Sequence, residues 1–466
     1  MALFVVRHVH SPEKCPAQDP YRGAMLLNHL SRPSVAQFGL KIRGEAVIKG
    51  EHTMYLIVEA GDERQLQKFL APFEGAGTVE VYPASTCSGV VAAGGCGAQT
   101  PVSELVPALD AEVACQDAIE SGLAVHRAHP LNCETSIPAL MGGVVTPNAR
   151  FYVRNHFYIP NLDPENYRLQ VGGLVERPLS LSLHDLRAMR SHSQAITLEC
   201  AGNGRILFDP PIEGEKWDLG AVSTAEWTGV PLVALLERAG VRTDAREVLF
   251  RGADGGLVDG HSKPIRFERS LRLDDTQLAG ALLAYAMNGE PLPVHHGYPL
   301  RLVVPNWYSV ASVKWLTEIE LISRPFTAYY QTEKYWYEWE RDGRLVREPV
   351  RLQRVRALIT EPAPNQQVFR DALTIRGVAW SGAAPIARVE VSVGAGDWQE
   401  ASLEGNPQRG CWRRWGFITR LDQAGASDMR ARATDEAGNT QPERAEWNNL
   451  GYGNNSIQRV PIFAVA

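Results

Sequence analysis

The sequence predicts an α+β protein of roughly three domains, and three observations lead to that expectation. The chain has 466 residues, and a domain holds about 150 residues on average. Strand and helix patterns alternate at the start of the chain and again, between longer loops, in its middle. From Val355 onward, short strands with period-two alternation replace that mixture. A hydrophobic fraction of 44% can fill a core in each part.

The first segment, residues 1–85, has the order strand, helix, strand, strand, helix, strand. The first helix carries Leu26 and Leu30 on one face, and the second carries Leu66 and Leu70. That order is typical of the ferredoxin-like α+β module, which is widespread and indicates little about function. The strands are predicted at 3–6, 41–48, 54–58 and 78–82.

Potential metal ligands occur in and just after this module, namely His8, His10, Cys15, Cys87 and Cys96. The spacing between the last two cysteines matches none of the compact zinc pairs, and the candidates fall at both ends of the module. We therefore favour a small regulatory or oligomerising module, with a metal site as the alternative.

Residues 86–129 are predicted to be a connector, because the GGCG run at 94–97 is flexible. A short helix is expected within it at 113–123. Residues 130–345 mix strands, helices and long loops, and we expect the chemical centre there. Residues 346–466 predict a β-sandwich, since strands such as 389–393 and 429–433 end at turn signals.

Charge and composition exclude several classes of function. With 47 basic and 53 acidic residues the net charge is −6, and no basic stripe indicates a nucleic-acid partner. No apolar run approaches the ~20 residues that span a bilayer. The first ten residues resemble a strand rather than a signal peptide, and no twin-arginine pair is near. Seven scattered cysteines fit a reducing compartment. We therefore expect a cytoplasmic protein, or a periplasmic one if a leader was trimmed.

One cysteine lies in an unusual setting. The run TLECAGNGR at 197–205 brings Cys200 from an apolar strand into a turn of small residues that ends at Arg205. Glycine and alanine allow a bulky ligand to approach the backbone, and a guanidinium suits oxyanions. A lone cysteine after a strand is more often a buried apolar residue. The accompanying motifs decide between these interpretations.

Five further runs follow the order of a known family. The cysteine turn resembles the Cys-Ala-Gly-Asn-x-Arg turn of the sulfite oxidase family of molybdenum enzymes, over roughly residues 130–460. The C-terminal GVAWSG at 377–382 and the WN pair at 447–448 resemble the immunoglobulin-like dimerisation domain of that family. The other matching runs are FYVRNH at 151–156, WDLGAVST at 217–224, FRGADGG at 250–256, HGYPLR at 296–301 and SVKW at 312–315.

The resemblance implies a molybdenum–molybdopterin cofactor with Cys200 as the protein ligand of the metal. A thiolate is the ligating form, and the metal enforces it. Arg154, Arg205 and Trp217 are expected to form an oxyanion pocket, with Tyr335 as the catalytic tyrosine. The resemblance places the pterin and its phosphate against Arg154, Asn155, His156, Cys200, Asp254, His296, Arg301, Ser312 and Lys314.

Two positions depart from the pattern of the sulfite-oxidising members. They carry an arginine after the late Trp-Asn pair, where this chain has Leu450. Straight alignment places Lys334 at the position of their catalytic tyrosine, and a shift of one residue is needed to place Tyr335 there. These positions leave the substrate open, while the cofactor is not affected.

The leading hypothesis is a molybdopterin oxidoreductase that oxidises sulfite or a related sulfur oxyanion. A reductase of nitrate-like or sulfoxide substrates on the same cofactor is the alternative, favoured by Leu450 and Lys334. A non-catalytic scaffold is the third possibility. No haem-attachment motif and no flavin or dinucleotide fingerprint is evident, so electrons must be exchanged with an external carrier such as a cytochrome. The resemblance also implies a homodimer.

Overall fold

A computed structural model describes residues 2–16, 19–48, 51–61, 63–84, 111–258, 260–261 and 263–465. The chain divides into two compact units, Met1–Pro107 and Ala108–Ala466. Most of the predicted connector lies outside the described residues, and Cys87 and Cys96 lie there too. The helix expected in the connector begins two residues earlier than predicted and ends three residues sooner, as α4 (Ala111–Glu120).

The first unit is a four-stranded antiparallel sheet with helices. The strand order is β2-β3-β1-β4, so the first strand lies between the third and the fourth. Leu66 and Leu70 of the third helix are fully buried against strand residues such as Leu56. The elements are β1 (Ala2–His10), α1 (Pro20–Leu30), α2 (Arg32–Gln37), β2 (Lys41–Ile48), β3 (Thr53–Ala60), α3 (Glu63–Glu74) and β4 (Gly77–Ala84).

The second unit opens with a small antiparallel sheet in the order β5-β6-β7, formed by β5 (Ala124–Arg127), β6 (Asn132–Glu134) and β7 (Val153–Arg154). The middle strand pairs with both neighbours. Since Arg154 ends the last strand directly opposite Asn132, this sheet fixes the backbone of the predicted oxyanion-binding arginine.

Two five-stranded sheets form the body of the central region. One has the path β10-β11-β14-β15 with β16 paired to β14, and the other has the order β13-β12-β17-β8-β9. The elements are β8 (Arg168–Gly173), β9 (Leu179–Ser182), α5 (Leu183–Ala188), β10 (His192–Glu199), β11 (Val222–Pro231), α6 (Leu232–Ala239), β12 (Glu247–Gly256), β13 (Ile265–Arg272), β14 (Leu282–Met287), β15 (Glu290–Pro291), β16 (Arg301–Val303) and β17 (Leu316–Ile322).

The sequence explains the packing of helix α6. Leu232, Leu235 and Leu236 recur at helical spacing and are buried in the main core. Gly240 ends the helix with φ of 72°, a left-handed conformation that glycine adopts without steric cost. The helix therefore covers one side of the sheets through a narrow leucine face.

The C-terminal region follows the hairpin of β18 (Trp336–Arg341) and β19 (Arg344–Pro349) and consists of strands apart from a 3-10 turn at Arg370–Ala372. Its two sheets have the orders β20-β22-β26-β25 and β21-β28-β27-β23-β24. Apolar residues of both sheets enclose one core. The strands are β20 (Arg356–Glu361), β21 (Gln366–Phe369), β22 (Leu373–Trp380), β23 (Ile386–Val393), β24 (Gln399–Glu400), β25 (Ser402–Leu403), β26 (Arg413–Thr419), β27 (Gly425–Asp435) and β28 (Arg459–Val465).

The central and C-terminal regions also share a buried cluster. Leu219 and Val222 of the central region pack with Leu358, Val378 and Trp380 of the C-terminal region. The fold as a whole is mixed α+β and dominated by sheets. Among the described residues, no helix combines the length and the apolar character needed to cross a membrane.

Candidate active site

One cavity in the second unit brings together all but two of the residues predicted for the site. The two that do not line it are Arg205 and Trp217. The chain reaches the cavity from β7, from the turn after β10, from β12, and from the loops around β16 and β18. The predicted residues that line it are Arg154, Asn155, His156, Cys200, Asp254, His296, Arg301, Ser312, Lys314 and Tyr335.

Cys200 follows directly on β10 and is held by its backbone. Its amide N–H donates to the carbonyl of Ala221 at 2.9 Å, and its own carbonyl accepts from the amide of Asn203 at 2.9 Å. The side chain is 5% exposed. Burial raises the pKa of the Cys200 thiol, although the guanidinium of Arg154 acts in the opposite direction. A metal cation bound to the sulfur would make the thiolate the stable form.

The glycines of the cysteine turn serve a different purpose from the one that the sequence suggested. A Cβ at Gly202 would lie 2.9 Å from both terminal nitrogens of Arg205. A Cβ at Gly204, which has φ of 78°, would lie 2.8 Å from Nη2 of Arg356. The small residues thus admit two guanidinium groups of the protein itself, where we had expected the close approach of a ligand.

The guanidinium of Arg205 donates to backbone carbonyls of the protein itself. Its Nε donates to the carbonyl of Gly451 at 3.2 Å, Nη1 to that of Glu215 at 3.0 Å and Nη2 to that of Leu450 at 3.4 Å. Its guanidinium also lies over the ring of Tyr452, 5.3 Å from the centroid. The structure therefore places Arg205 as the link between the cysteine turn and the loop around residue 450.

Trp217 is fully buried in an apolar cluster that includes Cys200. Its ring meets the edge of His126 at a centroid distance of 5.1 Å. Its backbone carbonyl accepts from the amide of Ile206, in the 3-10 turn that Arg205 begins. These contacts place Trp217 behind the cysteine turn, where it supports the turn.

Arg154 is one of the cations that line the cavity together with the thiol of Cys200. Its Nη1 donates to Oδ1 of Asn132 at 3.2 Å and to the carbonyl of Asn155. Burial lowers the pKa of Arg154, but interactions with Tyr335 and Cys200 outweigh burial and raise it overall. The guanidinium is therefore permanently charged and is held in place before any anion binds.

Tyr335 reaches the cavity, and Lys334 does not line it. The hydroxyl of Tyr335 lies 2.5 Å from Nε2 of His156. Burial raises the pKa of Tyr335 well above its usual range and lowers that of His156 well below its own, with Arg154 adding to the second effect. Both groups are thus neutral, and the tautomer of His156 decides which of the two donates the hydrogen bond. Lys334 lies instead over the ring of Tyr329, at 5.6 Å.

The far side of the cavity is cationic and firmly built. Nη1 of Arg301 donates to the carbonyl of His296 at 2.9 Å, and Nη2 to that of Ser312 at 3.2 Å. Nζ of Lys314 donates to the carbonyl of His295 at 2.9 Å and to Oδ1 of Asn155. Burial lowers the pKa of Arg301 to about 10 and lowers that of Lys314. An anionic group at this side would raise the pKa of Lys314 again and so favour its charged form.

Three buried polar atoms on the cavity residues lack a hydrogen-bond partner among the described residues: Nδ2 of Asn155, Oδ1 of Asp254 and Nε of Arg301. Burial also raises the pKa of Asp254. Buried polar atoms are nearly always satisfied in native proteins, so their grouping here indicates a polar occupant. A pterin with donor and acceptor edges and a phosphate tail, next to a thiol, fits this set of groups.

Sequence reasoning missed several residues of the site. Asn132 is fully buried and positions both Arg154 and the amide of Asn155, which donates to its Oδ1 at 2.8 Å. Nothing in the local sequence of Asn132 predicts that role. Tyr152 lines the cavity with its hydroxyl donating to Oγ of Ser309 at 2.8 Å, and it belongs to a motif in which only Arg154, Asn155 and His156 received a role.

A buried ion pair lies directly beneath the cysteine turn. The carboxylate of Glu199 accepts from Arg356 at 3.3 Å, from the indole of Trp380 at 2.9 Å and from Asn203 at 3.1 Å. Arg356 and Trp380 belong to the C-terminal sheets. The residue before Cys200 is therefore anchored by a different region of the chain.

Three family models match the chain. The oxidoreductase molybdopterin binding domain matches residues 156–330, and the Mo-co oxidoreductase dimerisation domain matches residues 349–464. A domain of unknown function (DUF3303) matches residues 4–96. The first of these models contains most of the cavity residues, Cys200 among them, and the second matches the C-terminal sheets.

The chain is also similar to sulfite oxidases and nitrate reductases. Sulfite oxidase of Mus musculus is 35% identical over 365 residues, or 74% of this chain and 66% of the mouse protein. Sulfite oxidase of Gallus gallus is 34% identical over 71% of this chain and 75% of its own. Nitrate reductase of Hordeum vulgare is 34% identical over 72% of this chain but only 41% of its own. The chain therefore spans about two thirds of the mouse enzyme and under half of the barley enzyme.

A solved structure agrees with these relatives. The sulfane dehydrogenase SoxCD from Paracoccus pantotrophus superposes with a TM-score of 0.64 at 26% identity, over 81% of this chain and 96% of that chain. The proteins in this comparison are oxidoreductases, so the scaffold hypothesis is set aside, and molybdopterin-bound molybdenum is the cofactor. The chain belongs to the sulfite oxidase family of molybdopterin-dependent oxidoreductases.

Proposed function

We propose that the protein oxidises sulfite or a related sulfur oxyanion and passes the electrons to an external carrier. One observation supports this most strongly: a preorganised guanidinium, Arg154, lines the same cavity as Cys200 and Tyr335. Bound molybdenum supplies the oxygen-atom transfer and the two-electron chemistry. The protein supplies an anion site beside the thiolate.

Each cavity residue then has a defined task. Arg154 binds the oxyanion and stabilises its charge as the reaction proceeds. Tyr335 offers a neutral hydroxyl beside the substrate, which its hydrogen bond with His156 orients. Cys200 is the proposed metal ligand. The pterin and its phosphate are held by Asn155, Asp254, His296, Arg301, Ser312 and Lys314.

The reductase alternative has a specific observation in its favour. Leu450 is neutral where the sulfite-oxidising members are expected to carry an arginine, and Arg205 spends its donors on backbone carbonyls. The anion site therefore has fewer free cations than a doubly charged substrate would use. A singly charged oxyanion such as nitrate requires less compensation.

A paired assay separates the two directions. Sulfite-dependent reduction of an artificial acceptor is measured beside nitrate-dependent oxidation of a reduced dye, on the same molybdenum-loaded protein. Because one solved relative is a sulfane dehydrogenase, a reduced-sulfur donor joins the panel. We expect turnover with the sulfur donors and none with nitrate. Turnover with nitrate alone would establish the reductase.

The substitution Arg154→Lys tests the role of the guanidinium in the same assay. Lysine keeps the charge but loses the forked donor that Asn132 orients, so KM for the oxyanion should rise about tenfold or more with molybdenum content unchanged. An unaltered KM would show that the anion binds elsewhere in the cavity.

The finer features of the architecture are part of this proposal. The strand order β2-β3-β1-β4 supports a ferredoxin-like fold for residues 1–85. Two facing sheets support an immunoglobulin-like sandwich at 346–466. We also propose a connector at 86–129 and a catalytic domain at 130–345. A homodimer and a cytoplasmic location belong to the same proposal.

A further inference from the structure

The first unit contains a cavity of about 830 Å³ that none of the catalytic residues lines. Four histidines and a cysteine face it, together with apolar residues such as Met54 and Phe73. The imidazole- and thiol-bearing residues are His8, His10, Cys15, His29 and His52. Such a concentration of nitrogen and sulfur ligands has no role in the oxyanion chemistry described above.

Three of these side chains converge on one point. Ligand atoms of His10, Cys15 and His52 all lie within 4.8 Å of one another. They come from different elements, since His10 ends β1, Cys15 follows a 3-10 turn and His52 lies in the turn between β2 and β3. The backbone N–H of His10 donates to the carbonyl of His52 at 3.1 Å, which fixes the two residues together.

One imidazole of this cluster and a second imidazole beside it have ring nitrogens without hydrogen-bond partners among the described residues. Both ring nitrogens of His10 are without a hydrogen bond among the described residues. Nε2 of His8, which is 3% exposed, is also unsatisfied, and its ring lies 5.2 Å from that of His10. By contrast, Nε2 of His29 in the same cavity bonds the carbonyl of Phe69 at 2.8 Å. Buried polar atoms without partners are costly, so an occupant is expected.

His52 adds a backbone observation. Its φ is 51°, in the left-handed region that residues other than glycine seldom adopt. Conformations of this kind persist where the surrounding structure requires them, and they cluster at functional sites. Here the conformation brings the imidazole of His52 towards His10, with ring centroids 5.5 Å apart.

We propose that His10, Cys15 and His52 bind one transition metal ion of the zinc class. Two imidazoles and a thiolate form the ligand set that such borderline ions prefer over magnesium or calcium. Three protein ligands leave a fourth tetrahedral position open towards the cavity. The spacing of cysteines along the sequence could not reveal this site, because His52 meets His10 only through the pairing of β1 with β3.

The test uses the full-length, molybdenum-loaded protein. Bound zinc is first removed with a chelator, and Co²⁺ is then titrated while the thiolate-to-cobalt charge-transfer band is recorded. Zn²⁺ affinity follows by competition, and molybdenum content is measured in the same samples. The variants are Cys15→Ser and His52→Ala. The matched controls are Cys115→Ser, another half-buried free cysteine, and His29→Gln, whose ring already has a partner.

We expect the wild type to bind one Co²⁺ with a thiolate band. Cys15→Ser should abolish the band, and His52→Ala should weaken Zn²⁺ binding at least about tenfold. Both control variants should bind as the wild type does, and molybdenum content should stay constant in all. The proposal is overturned if the wild type shows no thiolate band, or if the band survives Cys15→Ser. Circular dichroism verifies that each variant is folded.

Discussion

Tyr335 enters the cavity because of one extra residue in the chain before it. Residues Tyr329–Glu333 form a short π-helix, which accommodates one residue more per turn than an α-helix. Tyr335 then adopts φ of 63°, which turns its side chain inward. Straight counting along the sequence selects Lys334, and the backbone bulge transfers the position to its neighbour.

Replacing the tyrosine tests that assignment. Tyr335→Phe removes the hydroxyl next to His156 but keeps the ring stacked on Tyr452, with centroids 5.0 Å apart. We expect kcat/KM to fall about 100-fold, since a positioned donor contributes on that order. The matched control is Lys334→Ala, which should leave turnover within about twofold. A larger loss for the lysine variant would restore the straight alignment.

Cys200→Ser should abolish turnover. Serine fits sterically but does not supply a thiolate to the metal, so activity with any of the donors should drop about 100-fold or more. Molybdenum content and the electronic spectrum report the loss of the sulfur ligand directly. Cys115→Ser is the control and should be fully active. Retained activity in the Cys200 variant would place the metal ligand elsewhere.

How well the sequence predicts a site residue depends on how local its reason is. Cys200, Arg154 and Lys314 lie in short runs that can be recognised when the runs are taken together in their order along the chain. Asn132 acts through Arg154, 22 residues away. Arg356 acts through Glu199, 157 residues away. Contacts of that kind arise only when distant strands meet, so no local pattern announces them.

At the scale of elements, the end of β10 depends on β20 and β22. Glu199→Ala would leave Arg356 buried without its carboxylate partner, and removing one side of a buried pair costs about 3–5 kcal/mol. Burial already raises the pKa of Glu199, so Glu199→Gln should cost less, since the neutral amide keeps one oxygen acceptor for either Trp380 or Asn203. Calorimetric unfolding of both variants measures the difference.

A double substitution distinguishes the ion pair from general damage. In Glu199→Ala combined with Arg356→Met, no unpaired charge is left in the interior, so part of the lost stability should return. If the two losses simply add, the pair is not the reason for the effect. Molybdenum content in the same variants shows whether the cysteine turn depends on this anchor.

Strand β5 carries a pH-dependent contact behind the site. Nε2 of His126 lies 3.2 Å from Oε1 of Glu134, and this interaction raises the pKa of His126 above its usual 6.5. The stabilisation is complete below pH 6.5 and is lost as the pH rises through the higher pKa of the folded state.

His126→Gln should therefore lower the thermal midpoint at pH 6 more than at pH 9. The difference should correspond to about 0.5–1 kcal/mol after solvent screening. His192→Gln, on an exposed position of β10, is the matched control and should show no such dependence. An equal loss at both pH values would assign the effect of His126 to packing alone, against the ring of Trp217.

At the scale of the whole molecule, periodicity predicted the elements better than their assembly. The alternating residues of β23 and β27 are buried as their spacing indicated, with Val389, Val391 and Met429 almost fully covered. The shared cluster between the central and C-terminal regions was not foreseen, because Leu219 and Leu358 belong to patterns that each look complete by themselves.

The C-terminal sheets also indicate where a second copy would bind. Phe369 and Phe463 are 72% and 48% exposed on the same face of the β21–β28 pair, where Gln367 lies opposite Phe463. Exposed aromatic residues side by side are typical of contact surfaces. We expect about 103 kDa in solution, twice the 51.3 kDa chain.

Phe369→Asp combined with Phe463→Asp should convert that dimer to a monomer in light scattering. The control is Arg272→Ala, which removes an exposed ion pair with Asp274 at the end of β13 and should leave the mass unchanged. If the double variant remains a dimer, the contact lies on another face of the C-terminal region.

The anchor between Glu199 and Arg356 also bears on how the protein is made. Synthesis runs from the N-terminus at roughly 5–20 residues per second, and 157 residues separate the two partners, so the arginine emerges roughly 8–31 s after the glutamate. Until then, the nascent cysteine turn lacks the guanidinium that packs on Gly204. We expect the pterin to enter only after residue 356 has emerged, so a chain truncated before that residue should contain no molybdenum.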